Sequence, residues 1–160
     1  MLQIARLTDY GLILLTHLAQ KGEDELMSCA DLADETHLPT PTVRKVLKTL
    51  AGADLLASKR GAHGGYSLAR APEEISVASV IEAMEGPVAI TVCSQGPGEC
   101  ELEPLCGVSN NWQRINAALV QTLERISVAD MVGPLPTAAL RPASGDPQAS
   151  PQQIQRSSPP

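Results

Sequence analysis

A chain of 160 residues with a formal charge of −6 and 43% hydrophobic residues has apolar material for one core of ordinary size, with extensions. It has no Phe, one Trp and two Tyr, so the core must be aliphatic, which favours helices. No apolar run reaches the ~18 residues that span a bilayer, which argues against a membrane protein. The opening segment MLQIARLTDYGLILLTHLAQK has no small-residue cleavage site. It reads as a helix of the mature protein, and the expected compartment is the cytoplasm.

The first helix is expected from Leu7 to about Lys21, with Thr8 as its N-cap and Gly22 opening an acidic loop. Ser28 opens a second helix, SCADLADETH, with Asp31 in a weaker version of the capping-box position. In LPTPT, Thr40 can cap a third helix and Pro41 suits its first position. That helix runs to about Ala53. At ~100° per residue, Val43, Val46, Leu47 and Leu50 share an apolar face. Lys45 and Lys48 lie opposite it, with Arg44 beside them and Thr42 and Thr49 at the other edge.

Leu55 to Ser58 and Tyr66 to Leu68 read as the strands of a hairpin. Its tip, KRGAHGG, is basic, and Gly61, Gly64 and Gly65 offer close approach and positive φ. Ser76 to Glu85 is a short amphipathic helix closed by Gly86 and Pro87. A cysteine-bearing loop follows. A long helix then runs from Val108 or Ser109 to Ile126, with Trp112, Ile115, Leu119 and Leu123 near one stripe, and SVADMV can add a final turn. From Gly133 onward, seven of 28 residues are Pro, and this tail is expected to be disordered. The chain divides into residues 1–72, 73–132 and 133–160.

Helix, short helix, turn, cationic helix and basic hairpin together make the pattern of a winged helix-turn-helix in a mainly α protein. The negative net charge argues against nucleic acid, but residues 41–70 carry six basic side chains and one acidic one, Asp54. A local patch matters more for phosphate than the global balance. The expected partner is double-stranded DNA, because the aromatics that stack on single strands are missing. The candidate contacts are Thr40, Thr42, Arg44, Lys45 and Lys48 on the third helix, and Lys59, Arg60, His63 and Gly64 in the wing. The plainer alternative is a solvated charged face; the wing in register favours DNA. His63 reads equally as a contact or an ordinary turn residue. His17 reads as a core or interface histidine, His37 as a residue suited to a helix C-terminus, and Cys29 as a small buried thiol.

The segment TVCSQGPGECELEPLCGVSNNW holds Cys93-x6-Cys100-x5-Cys106. Structural zinc sites use tighter pairs. A disulfide would leave one odd thiol in a reducing compartment. A nucleophilic cysteine needs a base and a shaped site. A thiolate-bound iron–sulfur cluster fits best, since soft thiolates suit it and a Gly/Pro loop can wrap it. Zinc and redox thiols stay open beside it. Three cysteines leave a fourth position, for which Glu99, Glu101 and Glu103 are local.

LTDYGL, PTVRKVLKTLAGADLL, RGAHGGYSLAR, EAMEGP and the three cysteines before a tryptophan-bearing helix resemble the bacterial winged-helix repressors typified by IscR and NsrR. Within them, the likeness is strongest to regulators of the SUF iron–sulfur cluster assembly system, and it covers about residues 1–132. The resemblance implies a homodimer joined by the long helix. It also implies a cluster on Cys93, Cys100 and Cys106, here expected as 2Fe-2S rather than 4Fe-4S, and transcription controlled by cluster state rather than catalysis. Some members take a histidine three residues after the last cysteine as fourth ligand; Ser109 stands there. Others take an aspartate of the partner's first helix, and Asp9 matches that place. The rival functions are a zinc- or thiol-responsive regulator on the same fold and, further off, a small iron–sulfur redox protein.

Overall fold

The computed structural model describes residues 3–22, 25–61, 64–96, 98–135 and 140. His63 and most of the Pro-rich tail lie outside the described residues.

Helix α1 spans Arg6–Lys21 and ends at Gly22, whose φ of 114° suits glycine. It starts earlier than its composition suggested. Its N-cap is Ala5, which has no side chain to bond the free N–H groups, and Thr8 is not the cap. Thr8 is fully buried two residues into the helix. Helix α2, Cys29–Thr36, is capped as expected: Ser28 and Asp31 bond reciprocally at 3.2 Å each. It closes on His37 in the left-handed region, with φ of 56°.

Helix α3 runs Thr40–Gly52 from Pro39, and no side chain caps it. Thr40 is therefore its first helical residue rather than its cap, and Pro41 comes second. Strands β1, Leu56–Lys59, and β2, Gly65–Leu68, pair antiparallel with Leu56 opposite Leu68. On the far edge of β2, Tyr66 and Met27 exchange hydrogen bonds of 2.8 and 3.0 Å, which fasten the wing to the segment before α2.

Helix α4, Val77–Glu85, is capped by Ser76, whose hydroxyl accepts from the Ser79 N–H at 3.1 Å. Helix α5 spans Ser109–Glu124. Beyond it the chain returns to the start of α4: Val77 N–H donates to Ile126 O and Val128 N–H to Ile75 O, both at 2.8 Å. The expected last turn forms at Asp130–Val132.

The main core joins Leu14, Leu15 and Leu18 of α1 to Leu32 of α2 and to Val43, Val46, Leu47 and Leu50 of α3. Ile75, Val80 and Val128 belong to the same cluster, so it extends past residue 72. Each such side chain contributes roughly 1.5–3 kcal/mol through its burial. A smaller cluster holds Val77, Ile81 and Ile126, with Leu12, Val88, Leu123 and Leu135 against it.

One residue differs from its expected setting. Cys29 is half-buried rather than buried, because it sits at the first position of α2. His17 is half-buried and bonds Glu35 at 2.9 Å, and Lys21 reaches the same oxygen at 2.8 Å. These bonds, Lys21's first, hold the Glu35 carboxyl below its ordinary range, and Glu35 raises Lys21. The trio links α1 to α2.

Candidate nucleic-acid interface and cysteine site

The buried face of α3 turns the opposite face outward. Arg44, Lys45 and Lys48 are exposed, Thr42 is half-buried, and Thr40 is exposed at the helix start. Thr49 donates its hydroxyl to Lys45 O at 3.2 Å, so it serves its own helix. Lys59 and Arg60 are exposed at the end of β1. Among the described residues the ion pairs are those of Glu35 with His17 and Lys21. The α3 and wing cations therefore have no carboxylate partner there, which leaves them available to phosphate.

A cavity of about 470 Å³ lies between the α2 start (Ser28, Cys29) and the wing (Lys59, Arg60, Tyr66). Only Gly61 of the wing glycines has positive φ, at 121°. Gly64 and Gly65 are required for space instead. A Cβ on Gly64 would strike the Lys59 carbonyl, and one on Gly65 would sit 2.6 Å from the Met27 carbonyl oxygen. The Gly64 position is thus needed to close the turn that carries Lys59 and Arg60.

The cysteine segment lies between α4 and α5. Cys93 sits in a turn at Val92–Ser94 and is 8% exposed; Cys100 and Cys106 are half-buried, and all are free thiols. The Thr91 hydroxyl lies 3.2 Å from Cys93 Sγ and 2.8 Å from Ser94 Oγ. Among the described residues no three His, Cys, Asp or Glu side chains stand close enough to hold a metal ion. The three thiols share one segment without converging. Asp9 is exposed on α1 and joins no such group among the described residues.

Polar side chains of α5 pin this segment. Asn116, buried, accepts from Ile90 N–H at 3.0 Å and donates to Val88 O at 2.9 Å. Gln113 donates to Cys93 O at 3.4 Å and to Glu103 at 3.2 Å, and the other Glu103 oxygen accepts from Gly98 N–H at 2.9 Å. Glu103 is thus engaged within the loop, whereas Glu99 and Glu101 are exposed. Ser109 is buried, with its hydroxyl on Cys106 O at 3.1 Å, so it fastens the last cysteine to the helix start. A cavity of about 270 Å³ opens beside Cys93, lined by Gln113, Asn116 and Ala117. Sequence reasoning missed Asn116 and Gln113. Polar residues in an α5 read by its apolar stripe were the available signal, but the loop backbone groups they bond are 20 to 28 residues away.

The profile of the Rrf2 family, described as an iron-dependent transcriptional regulator, matches residues 4–134. The chain belongs to the Rrf2 family. It is 29% identical to the HTH-type transcriptional regulator NsrR of Bacillus licheniformis, over 82% of this chain and 92% of that protein. The NsrR of Shouchella clausii is 31% identical, over 82% and 89%. Among solved structures, CymR, the global cysteine regulator of B. subtilis, superposes with a TM-score of 0.65 at 27% identity, covering 82% of this chain and 97% of that one. The IscR of T. potens superposes at 0.61 with 26% identity, covering 90% and 94%. These Rrf2 relatives are transcriptional regulators rather than enzymes, so the winged helix-turn-helix described above is a DNA-binding element. No helix among the described residues is long and apolar enough to cross a membrane.

Proposed function

We propose that this Rrf2 chain is a homodimeric repressor of iron–sulfur cluster assembly genes, with its cluster on Cys93, Cys100 and Cys106. One observation carries the reading: three free thiols lie on a single segment rooted in α4 and α5, beside a bare apolar helix face. The donor chemistry fits an iron–sulfur cluster, since no thiol is committed to a disulfide and Cys100 and Cys106 are partly accessible. Bound there, the cluster would supply a centre whose redox state and integrity report on its surroundings. Asp9 of a second copy is the fourth donor in this reading.

The dimer rests on α5. Val108, Trp112, Ile115 and Leu119 are all exposed, and their spacing places them on one helical face. A second copy of α5 would cover that stripe. The two α3 helices then meet successive major grooves about one turn apart, with Arg44, Lys45, Lys48, Lys59 and Arg60 on bases and phosphates. Loop residues 87–107 must close to bring the thiols together. DNA affinity changes only if the closed and open loops favour different dimer arrangements.

A second reading, regulation by thiol chemistry without metal, is favoured by the non-converging thiols and by the likeness to CymR. Anaerobic purification separates the two. Visible absorbance with matching iron and sulfide is expected, and Cys93→Ala, Cys100→Ala and Cys106→Ala should each abolish it. A colourless wild type without iron, or all three variants retaining the full spectrum, would refute the cluster assignment.

A further inference from the structure

Helix α1 has no cap of its own, yet its first turn is not left open. Glu85, the last residue of α4, reaches it from 80 positions further along the chain. One oxygen, Oε1, accepts the Ala5 N–H at 3.0 Å and the Thr8 hydroxyl at 2.5 Å. The carboxylate also sits against the positive end of the α1 dipole. Thr8 is wholly buried, so this bond is where its hydroxyl proton goes.

The position of Glu85 gives the bond a second meaning. Gly86 follows with φ of 90°, and the cysteine segment begins there. Glu85 therefore stands at the root of the segment that must rearrange for the thiols to converge. On the other side, α1 carries Leu14, Leu15 and Leu18 into one cluster with Val43, Val46, Leu47 and Leu50 of α3. Close-packed side chains pass on a shift of the helix that bears them. Asp9 is the residue after Thr8.

We infer that Glu85 is the positioning residue that links the state of the cysteine segment to the recognition helix, by holding the start of α1 to the root of that segment. This rests on the cluster-sensing reading above. A rearrangement of residues 86–107 moves Glu85, Glu85 moves Ala5 and Thr8, and α1 carries α3 with it. The same bond sets where Asp9 is presented.

The test uses the full chain, purified anaerobically, as cluster-loaded and chelator-stripped forms. The DNA probe is a duplex selected from random sequence by the wild type, read by fluorescence anisotropy. The quantity is the ratio of the affinities of the two forms. In Glu85→Ala the ratio should fall at least about fivefold toward one, with the visible spectrum intact. Glu85→Gln should keep the wild-type ratio, because its amide oxygen accepts the same two bonds. Thr8→Val, which removes one donor, should fall between them and carries the test alone if Glu85→Ala does not fold.

An unchanged ratio in Glu85→Ala, or in Thr8→Val where that variant stands alone, would reduce Glu85 to a helix cap and overturn the inference. Loss of the spectrum in Glu85→Ala would overturn it differently, by making Glu85 a cluster ligand. A wild-type ratio of one would sink the cluster-sensing reading itself, and the linkage with it.

Discussion

The demands of the winged-helix half are met within the chain, partly by α4 and the segment after α5, whereas those of the cysteine segment and the outer face of α5 are not. From α1 to β2, aliphatic side chains on every helix close into one cluster, α2 has a complete capping box, and the wing is hydrogen-bonded on both edges of β2. From residue 87 to residue 124, Val92, Leu102, Leu105, Val108, Trp112, Ile115 and Leu119 stand exposed, and the thiols do not meet. Before α5, local structure is short turns fixed by a few polar side chains. Stability is thus concentrated in the part that reads DNA. The part that takes a ligand and a second copy in the proposed reading is held by bonds that can be exchanged.

The sharpest way to break this comparison is to truncate one leucine in each region. Leu47 is completely buried on α3, whereas Leu105 is 88% exposed. Leu47→Ala should cost about 2–5 kcal/mol in urea unfolding, from lost burial and the cavity left behind. Leu105→Ala should stay within about 0.5 kcal/mol. Comparable costs would mean that the cysteine segment is as integral to the fold as the recognition helix.

The two regions also differ in how much of them can be read from sequence. Val43, Val46, Leu47 and Leu50 announce their face by spacing, and Ser28 with Asp31 announces a helix start, because those interactions are local. The start of α1 was misjudged for the opposite reason. Thr8 looks like a cap, but its hydroxyl is spent on Glu85, 77 residues away. The wing glycines were legible as necessary, and at Gly64 and Gly65 close approach, not positive φ, is the reason that holds. There the constraint is the approach of another backbone, which composition does not reveal. The cysteine spacing pointed to soft-ligand chemistry. Which α5 side chains root the loop became visible only once Asn116 and Gln113 were placed.

The next effect in size concerns the bare face of α5. Ile115→Asp puts a charge in the middle of the exposed stripe, where the winged-helix core has no contact to lose. Sedimentation should show the monomer, with helical content by circular dichroism unchanged. Affinity for a two-half-site duplex should fall at least about 100-fold, since linked binding of two modules is lost. A variant that stays dimeric would move the interface off this stripe and remove the account of why those side chains are exposed.

The smallest expected effect separates contact from control. Lys45 and Lys48 project from α3 without a carboxylate partner among the described residues. Each that neutralises a phosphate contributes about 0.9 to the slope of log affinity against log salt. Lys45→Ala and Lys48→Ala should each flatten that slope by about this amount per site occupied and weaken binding modestly. Both changes should be the same in cluster-loaded and cluster-free protein if, as proposed, the lysines contact DNA in either state, since no described ion pair ties them to the cysteine segment. That is the reverse of Glu85→Ala, which should alter the ratio between states while leaving the salt slope of each near its original value. An unchanged slope in both lysine variants would take α3 out of the phosphate contacts. A slope that changed in only one cluster state would show that the recognition face is rebuilt by the switch rather than carried by it as a rigid unit.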